Sequence, residues 1–288
     1  MDDGSIFLVT GASTGIGCAA AEHLAGRGHR VLAGVRSDAA AAELGRTDRI
    51  RPVLLDVRES GSVKAAAEMI ADAVGSHGLD GLVNNAGIQV AGPLEHLPLD
   101  AVRDVLETNV LGQVAVTQAV LPLLRSAPGG RVVLISSMSG RVALPFLGPY
   151  AASKHALEAI GDSWRRELAP SGIRVSVVEP GNTATPMWDK ALGTEGLSRF
   201  GLEAEQRYGA MEAWVRAQAQ RSADAAIPTD CVVRAIEHAL TARRPRQRYV
   251  VGIDAHVGTR LARHAPRLLD RAIAVAMARD ARRRTGGS

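Results

Sequence analysis

Short apolar runs alternate with alanine-rich stretches along most of the 288 residues, and this alternation limits the possible folds more than any other feature. Seven runs read as strands: SIFLVTG, RVLAGVR, RIRPVLLDV, LDGLVNNAG, GRVVLISS, IRVSVVEPG and QRYVVG. Their apolar residues are continuous, which is typical of strands buried on both faces of a sheet. The pattern predicts right-handed βαβ units, and so an α/β fold with a mainly parallel, seven-stranded sheet and helices on both faces.

The chain shows no obvious linker, so we expect residues 1–252 to form a single domain. Within it, residues 186–225 interleave aromatic and large apolar residues with charges, in a chain that is only 3% aromatic. That segment is either an ordinary helix covering the sheet or a lid whose apolar residues face a substrate. Residues 253–288 are predicted to be a helical extension packed on the same domain.

Composition argues against several classes of protein. The formal net charge is +4, and the basic runs near the end of the chain lack an aromatic platform, so we expect no nucleic-acid partner. Cys18 and Cys231 lie far apart without metal-ligand spacing, which indicates small buried residues in a reducing compartment and no metal site. The first residues have no basic leader, and the late stretch LLDRAIAVAMARDARRR is broken by charges. We therefore expect a cytoplasmic protein with no signal peptide and no transmembrane segment.

The turn after the first run, TGASTGIG, suits a phosphate group. Gly11, Gly15 and Gly17 let the backbone turn tightly and approach a ligand, and the following helix presents free N–H groups and the positive end of its dipole. The spacing differs from the dinucleotide fingerprint G-x-G-x-x-G, so a purely structural turn is the alternative.

The end of the second run bears on the choice of nucleotide. In a dinucleotide fold an acidic residue here binds the ribose 2′-hydroxyl, whereas a nearby arginine accommodates a 2′-phosphate. Gly34 stands where the acid would be, and Arg36 follows two residues later. The pattern favours NADP(H) over NAD(H), unless Arg36 is merely a surface residue.

A tyrosine and a lysine four residues apart, Tyr150 and Lys154, lie on one face of a predicted helix. A phenol can protonate a ketone oxygen as hydride reaches the carbon, but its ordinary pKa near ~10 is high for exchange at neutral pH. We expect the nearby ammonium to lower the pKa of Tyr150. Ser137, at the end of the fifth run, is placed to hold the carbonyl oxygen. Taken alone, such a pair is more often ordinary helix decoration.

These features recur in one order along the chain: TGASTGIG, Asp56-Val57, NNAG, Asn109 in ETNVLG, Ser136-Ser137, Tyr150 and Lys154, and PGNTAT. The set resembles the short-chain dehydrogenase/reductase family over roughly residues 5–252. The resemblance implies a Rossmann-type, doubly wound catalytic domain and a nicotinamide cofactor. The VLAGVRS strand end, the bulky segment 186–225 and the RYVVG ending are similar to those of NADP-preferring members of the hydroxysteroid or retinol dehydrogenase kind, or of ketoreductases.

The resemblance also implies residue roles. Tyr150 matches the catalytic acid/base, Lys154 its partner, Ser137 the substrate-orienting serine with Ser136 ranked second, and Asn109 the holder of a proton-relay water. The residues that it places against the cofactor are Gly11, Ser13, Thr14, Gly15, Ile16, Gly17, Arg36, Asp56, Val57, Asn85, Ala86, Gly87, Ile135, Tyr150, Lys154, Pro180, Gly181, Thr183 and Thr185. Two positions depart from the family. Thr14 replaces a frequent basic residue, and Thr183 a frequently aliphatic one.

The predicted function is an oxidoreductase that transfers hydride between NADP(H), with NAD(H) possible, and a ketone or secondary alcohol. The substrate is expected to be fairly large and apolar, such as a steroid, a retinoid or a polyketide-like ketone. The alternatives are a cofactor-binding sensor without turnover, and an epimerase or dehydratase using the same residues. The resemblance further implies a homodimer or homotetramer joined through helices near 98–124 and 150–170.

Overall fold

The computed structural model describes residues 4–44, 47–183 and 196–285. All seven predicted runs are strands, which confirms that prediction. In chain order they are β1 (Ile6–Val9), β2 (Arg30–Val35), β3 (Ile50–Leu54), β4 (Gly81–Asn84), β5 (Arg131–Ile135), β6 (Arg174–Pro180) and β7 (Arg248–Val251). They form one parallel sheet in the order β3-β2-β1-β4-β5-β6-β7. The chain order reverses between β1 and β4, where open α/β sheets bind ligands.

Helices connect the strands. In chain order they are α1 (Gly15–Gly26), α2 (Asp38–Leu44), α3 (Ser60–Val74), α4 (Leu99–Leu106), α5 (Gly112–Ser126), α6 (Gly148–Glu167), α7 (Leu202–Asp224), α8 (Thr229–Thr241), α9 (Ile253–His264) and α10 (Pro266–Thr285). A π-helical turn, Glu107–Leu111, joins α4 to α5. Short 3-10 turns include Met138–Gly140 after β5 and Gly196–Phe200 before α7.

The sheet is buried between two apolar layers, because alternate side chains along each strand point to opposite faces. On one face, Phe7 and Val9 of β1 pack with residues of α1 and α8, such as Leu24 and Ile236. On the other face, Leu8 packs with residues of α3 and α5. This arrangement confirms the doubly wound α/β fold with helices on both faces.

The edge strand β3 departs from the continuous burial expected of the runs. Ile50 and Val53 are buried, whereas Arg51 and Leu54 are exposed. No further strand pairs with the outer side of β3 within the described residues. Pro52, which cannot donate a ladder hydrogen bond, is tolerated in such a strand.

A third apolar cluster forms outside the sheet layers, and we call it the aromatic cluster. Its buried members are Phe146, Leu197, Trp214 and Val215, and its half-buried members are Phe200, Tyr208, Met211, Ile273, Ala276 and Met277. It joins the loop before α6 to α7 and to α10. In the described part of the chain, no helix is both long enough and apolar enough to cross a membrane.

Candidate active site

The glycine turn lies at the carboxyl edge of the sheet, between β1 and α1. Gly11 and Gly15 have φ angles of 63° and 60°, in the left-handed region that side chains rarely adopt. A Cβ at Gly17 would overlap the backbone oxygen of Gly11 and the side-chain nitrogen of Asn85. Thr14, at the start of α1, makes no capping hydrogen bond with its side chain. At Gly11 and Gly17 the backbone is thus too tightly packed for a side chain, and the first turn of α1 follows directly.

Thr10 locks this turn to the end of β4. Its hydroxyl oxygen accepts hydrogen bonds from the backbone N–H groups of Asn85 and Ala86, at 2.9 and 3.0 Å. The Asn85 side chain donates to the carbonyls of Thr10 and Gly11, at 2.9 and 3.1 Å. Thr10 was absent from the predicted site residues, although its place before the first glycine is a signal that could have suggested it.

At the end of β2, Gly34 is buried, and a Cβ there would lie 3.1 Å from a methyl group of Leu55. Arg36 follows the strand and is exposed. The Asp56 carboxylate accepts the backbone N–H of Arg58 at 3.0 Å. Val57 is buried against Gly112 of α5. The predicted adenine-side residues therefore follow β2 and β3, beside the glycine turn.

Tyr150 lies in the first turn of α6, after a proline that suits a helix start. The tyrosine is 8% exposed. Burial raises the pKa of its phenol to about 12, against the opposing effect of a hydrogen bond with the Ser137 side chain. The expected lowering of the Tyr150 pKa is therefore wrong for the protein without cofactor. The pKa rises because burial removes water from the phenolate, and this cost outweighs the stabilisation that Ser137 provides.

Lys154 lies one turn beyond Tyr150 and is 3% exposed. Its ammonium is 5.5 Å from the centroid of the Tyr150 ring and donates a hydrogen bond to the Ile135 carbonyl at 2.7 Å. Burial lowers the pKa of Lys154 to about 8. The predicted pair is thus brought together, with the ammonium over the ring and bonded to the last residue of β5.

Asn109 sits in the π-helical turn, a distortion often found at functional sites. Its side-chain oxygen accepts the Ile88 N–H at 2.7 Å, and its nitrogen donates to the Ile88 carbonyl and to the Ser153 hydroxyl, both at 2.9 Å. Asn109 therefore joins the segment after β4 to the helix that carries Tyr150.

The two serines after β5 have different surroundings. The Ser137 side chain lies beside Tyr150 and acts to lower the pKa of the phenol, and the Ser137 hydroxyl accepts the Ser139 N–H at 3.1 Å. Ser136 is buried, and its hydroxyl has no hydrogen-bond partner among the described residues. Of the two, Ser137 is the one placed against the phenol.

The segment after β6 is held by the chain's extension. Asp254, in the first turn of α9, accepts the Asn182 N–H at 2.7 Å, and a Cβ at Gly181 would overlap its carboxylate. Thr183 forms a bridge with Ile227. Thr185, also predicted to contact the cofactor, lies outside the described residues.

These residues fit a nicotinamide dinucleotide. The glycine turn and the first turn of α1 offer a cradle for its pyrophosphate. Lys154 carries three N–H donors, and the Ile135 carbonyl is its one hydrogen-bond acceptor in the described chain, so donors remain for ribose hydroxyls. The ends of β4 and β6, through Asn85, Ala86 and Gly87 and through Pro180 and Gly181, would flank the cofactor on either side.

The chain is similar to known proteins in both sequence and fold. The profile of a family described as short chain dehydrogenase matches residues 5–196. The 17-beta-hydroxysteroid dehydrogenase type 6 of Bos taurus is 38% identical, over 86% of this chain and 80% of that protein. Retinol dehydrogenase 16 of Mus musculus is 40% identical, with 86% and 80% covered. A solved structure of a short chain dehydrogenase from Burkholderia cenocepacia J2315, in complex with NADP, has a TM-score of 0.74 and 27% identity, with 94% of this chain and 98% of that chain covered.

These matches confirm the predicted family and the predicted likeness to hydroxysteroid and retinol dehydrogenases. The chain belongs to the short-chain dehydrogenase family and is an NAD(P)-dependent oxidoreductase that acts on alcohols or ketones.

Proposed function

We propose that this oxidoreductase prefers NADP(H) and interconverts a fairly large, apolar ketone and its secondary alcohol, with Tyr150 as the proton donor. The observation that carries the proposal is the contact between the Tyr150 phenol and Ser137, with Lys154 one turn away on α6. All three groups lie at the sheet edge that carries the glycine turn.

The proton step follows from these positions. The Ser137 hydroxyl and the Tyr150 phenol can both donate a hydrogen bond to one carbonyl oxygen, which polarises the carbonyl and fixes its orientation. The bound nicotinamide supplies or accepts the hydride. In reduction, Tyr150 gives its proton to the developing alkoxide. Because burial raises the pKa of Tyr150 to about 12, the phenol is protonated at neutral pH, as a donor must be.

Lys154 supports this transfer through its charge and its donors. When Tyr150 loses its proton, the ammonium 5.5 Å from the ring centroid stabilises the phenolate. Its free N–H groups can also hold the cofactor ribose, which would bring the ammonium, the ribose and the phenol into one hydrogen-bonded chain. Asn109, bonded to the Ser153 hydroxyl, holds the turn of α6 that carries Tyr150 and Lys154.

The preference for NADP(H) rests on the end of β2. Gly34 supplies no carboxylate to bind a ribose 2′-hydroxyl, and Arg36, just after the strand, is exposed. A guanidinium there can pair with a 2′-phosphate. The NADP complex of the Burkholderia cenocepacia relative supports the same preference.

The aromatic cluster supports an apolar substrate. Phe146 precedes Tyr150 by four residues, and its backbone oxygen accepts the Gly92 N–H at 3.0 Å. The cluster therefore starts at the loop that leads into the catalytic helix, as a lid over an apolar substrate would. Leu197 and Trp214 fall in the predicted lid segment 186–225, whereas its residues 186–195 lie outside the described chain. The relatives' names, hydroxysteroid and retinol dehydrogenase, point to substrates of the same class.

The predicted homo-oligomer has one supporting observation. Leu99, Leu106 and Leu111, along α4 and the π-helical turn, are 69%, 37% and 54% exposed. A second copy that packed on this helix would cover them. The cytoplasmic location stays a prediction from sequence.

A screen of apolar ketones and secondary alcohols with each cofactor tests the proposal, with the absorbance of reduced nicotinamide as the readout. We expect turnover of bulky apolar ketones, faster with NADPH than with NADH at equal concentration. Cofactor binding without turnover of any compound would contradict the proposal and favour a sensor. Product analysis separates net reduction from epimerisation or dehydration, which would leave the cofactor unchanged.

A further inference from the structure

Lys154 is a buried cation whose hydrogen-bond partner, the Ile135 carbonyl, carries no charge. Burial lowers the pKa of Lys154 to about 8, and the carboxylate of Glu158 acts against that lowering. Glu158 follows Lys154 by four residues on α6, so the two side chains share a helix face. A buried ammonium needs such a counter-charge to stay protonated.

The Glu158 side chain is only 5% exposed and is clamped between two arginines. The Arg141 guanidinium, from the loop after β5, lies 2.8 Å from its carboxylate oxygen Oε2. The Arg248 guanidinium, from β7, lies 2.9 Å from the same atom. Two guanidinium groups paired with one buried carboxylate oxygen fix its position.

Glu179 connects the clamp, which consists of Glu158, Arg141 and Arg248, to the segment after β6. It is 2% exposed and lies 3.1 Å from the Arg248 guanidinium, which also pairs with Glu158. Burial and the neighbouring Glu158 carboxylate raise the pKa of Glu179 to about 7. Glu179 also directly precedes Pro180 and Gly181, the predicted cofactor-contacting residues after β6.

We propose that Glu158, clamped between Arg141 and Arg248, is a positioning residue that keeps the Lys154 ammonium charged beside Tyr150. Glu158 acts through Lys154 rather than on the reacting atoms, and Glu179 couples the clamp to the segment after β6. The inference rests on the proposed function for the use made of the Lys154 charge, but the charge itself can be measured without cofactor or substrate.

Within the described residues, the charged groups paired around the clamp come from α6, the loop after β5, β6 and β7. The α6 helix itself carries Glu158, Asp162 and Arg165, the loop after β5 carries Arg141, β6 carries Glu179, and β7 carries Arg248. Asp162 offers a matched control. It also pairs with Arg248, at 2.9 Å, but lies one turn farther from Lys154 than Glu158 does.

A direct test is an NMR pH titration of lysine labelled with ¹³C at Cε, in the full chain without cofactor. The chain has three lysines, Lys64, Lys154 and Lys190, so Lys64→Arg and Lys190→Arg assign the Lys154 signal. We expect Glu158→Gln to lower the Lys154 midpoint by on the order of one pH unit. Asp162→Asn should leave the midpoint at the wild-type value. An unchanged or raised midpoint in Glu158→Gln, or an equal fall in Asp162→Asn, would overturn the proposal.

The same NMR titration of the wild-type protein is a second test, which stays valid if Glu158→Gln does not fold. Because Glu179 gains charge near pH 7 in contact with Glu158, the Lys154 signal should show a small additional step there. Glu179→Gln should remove that step. Its absence in the wild type would also overturn the proposal. Neither titration depends on turnover, so failure here and failure of the substrate screen are distinguishable.

Discussion

Tyr150 and Lys154 lie one turn apart on α6, whereas the members of the aromatic cluster come from segments far apart in the chain. In the first region, helix geometry alone brings the two functional groups together, and short strands place Ser137 and Ile135 beside them. In the second, Phe146, Trp214 and Ile273 meet only after the sheet, α7 and α10 have packed.

The two regions also differ in backbone strain. Phe146 has a φ of 69°, a left-handed conformation that costs a non-glycine residue of order 1 kcal/mol. The surrounding contacts, including an edge-on contact of its ring with Tyr208, hold it there. In the glycine turn the same region of φ is occupied by Gly11 and Gly15. The glycine turn thus adopts left-handed φ angles without strain, whereas the aromatic cluster depends on packing to hold one strained residue.

If the carboxyl edge of the sheet and the aromatic cluster have separate functions, a change in the glycine turn should weaken cofactor binding and leave substrate selectivity unchanged. Gly17→Ala would force its new Cβ into the Gly11 backbone and the Asn85 side chain, so NADPH should bind roughly 10- to 100-fold more weakly. Fluorescence titration of NADPH measures this effect. Gly26→Ala, on the same helix, is the control, because its Cβ would meet no atom within 4 Å. Equal affinity in both variants would contradict the assigned cradle.

Arg36, at the same carboxyl edge of the sheet, tests the preference for NADPH over NADH, with a smaller expected effect. Arg36→Ala should weaken NADPH binding by roughly 10-fold and leave NADH binding nearly unchanged, because only NADPH carries the 2′-phosphate. Dissociation constants for both cofactors provide the comparison. Arg51→Ala removes another exposed arginine, near the start of β3, and should change neither dissociation constant. Equal losses for NADPH and NADH in Arg36→Ala would show that Arg36 does not read the phosphate.

A change in the aromatic cluster should instead affect the KM for substrate and leave cofactor affinity nearly unchanged. Trp214 is 4% exposed, and Trp214→Ala should raise KM for a bulky apolar ketone by roughly 3- to 10-fold more than KM for a small one, because the cover loses its largest side chain. Cofactor affinity should stay within about twofold. Trp164→Ala, which opens the core on the α3 and α5 side of the sheet, is the control and should not alter the ratio. An equal change in the KM values of Trp214→Ala for the bulky and the small ketone would contradict a role of the aromatic cluster in substrate selectivity.

The strands of the sheet and the glycine turn at its carboxyl edge could be predicted from the sequence because their signals are local. Continuous apolar runs marked every strand, and glycine spacing marked the turn before α1. The exposed side chains of β3 were not predicted, since a strand's place at the edge depends on the partners it lacks. The pKa of Tyr150 was predicted in the wrong direction because spacing identified the ammonium but not the depth of burial.

The long-range contacts could not be found from spacing. Asp254 meets Asn182 across 72 residues, and Arg248 meets Glu158 from a strand at the far end of the sheet. The extension was predicted as a helix, but no pattern indicated that its first turn would hold the segment after β6. Such contacts depend on how elements pack, which composition and periodicity do not specify.

Single-turnover reduction of an accepted ketone by Tyr150→Phe, with saturating NADPH, tests the central claim most directly. The substitution removes one hydroxyl and keeps the ring that packs beside Lys154. We expect the rate of the chemical step to fall by roughly 10²- to 10⁴-fold, while the NADPH dissociation constant stays within a few fold of the wild type. A Tyr150→Phe enzyme that binds NADPH normally and reduces the ketone at near wild-type rate would contradict the role of Tyr150 as proton donor.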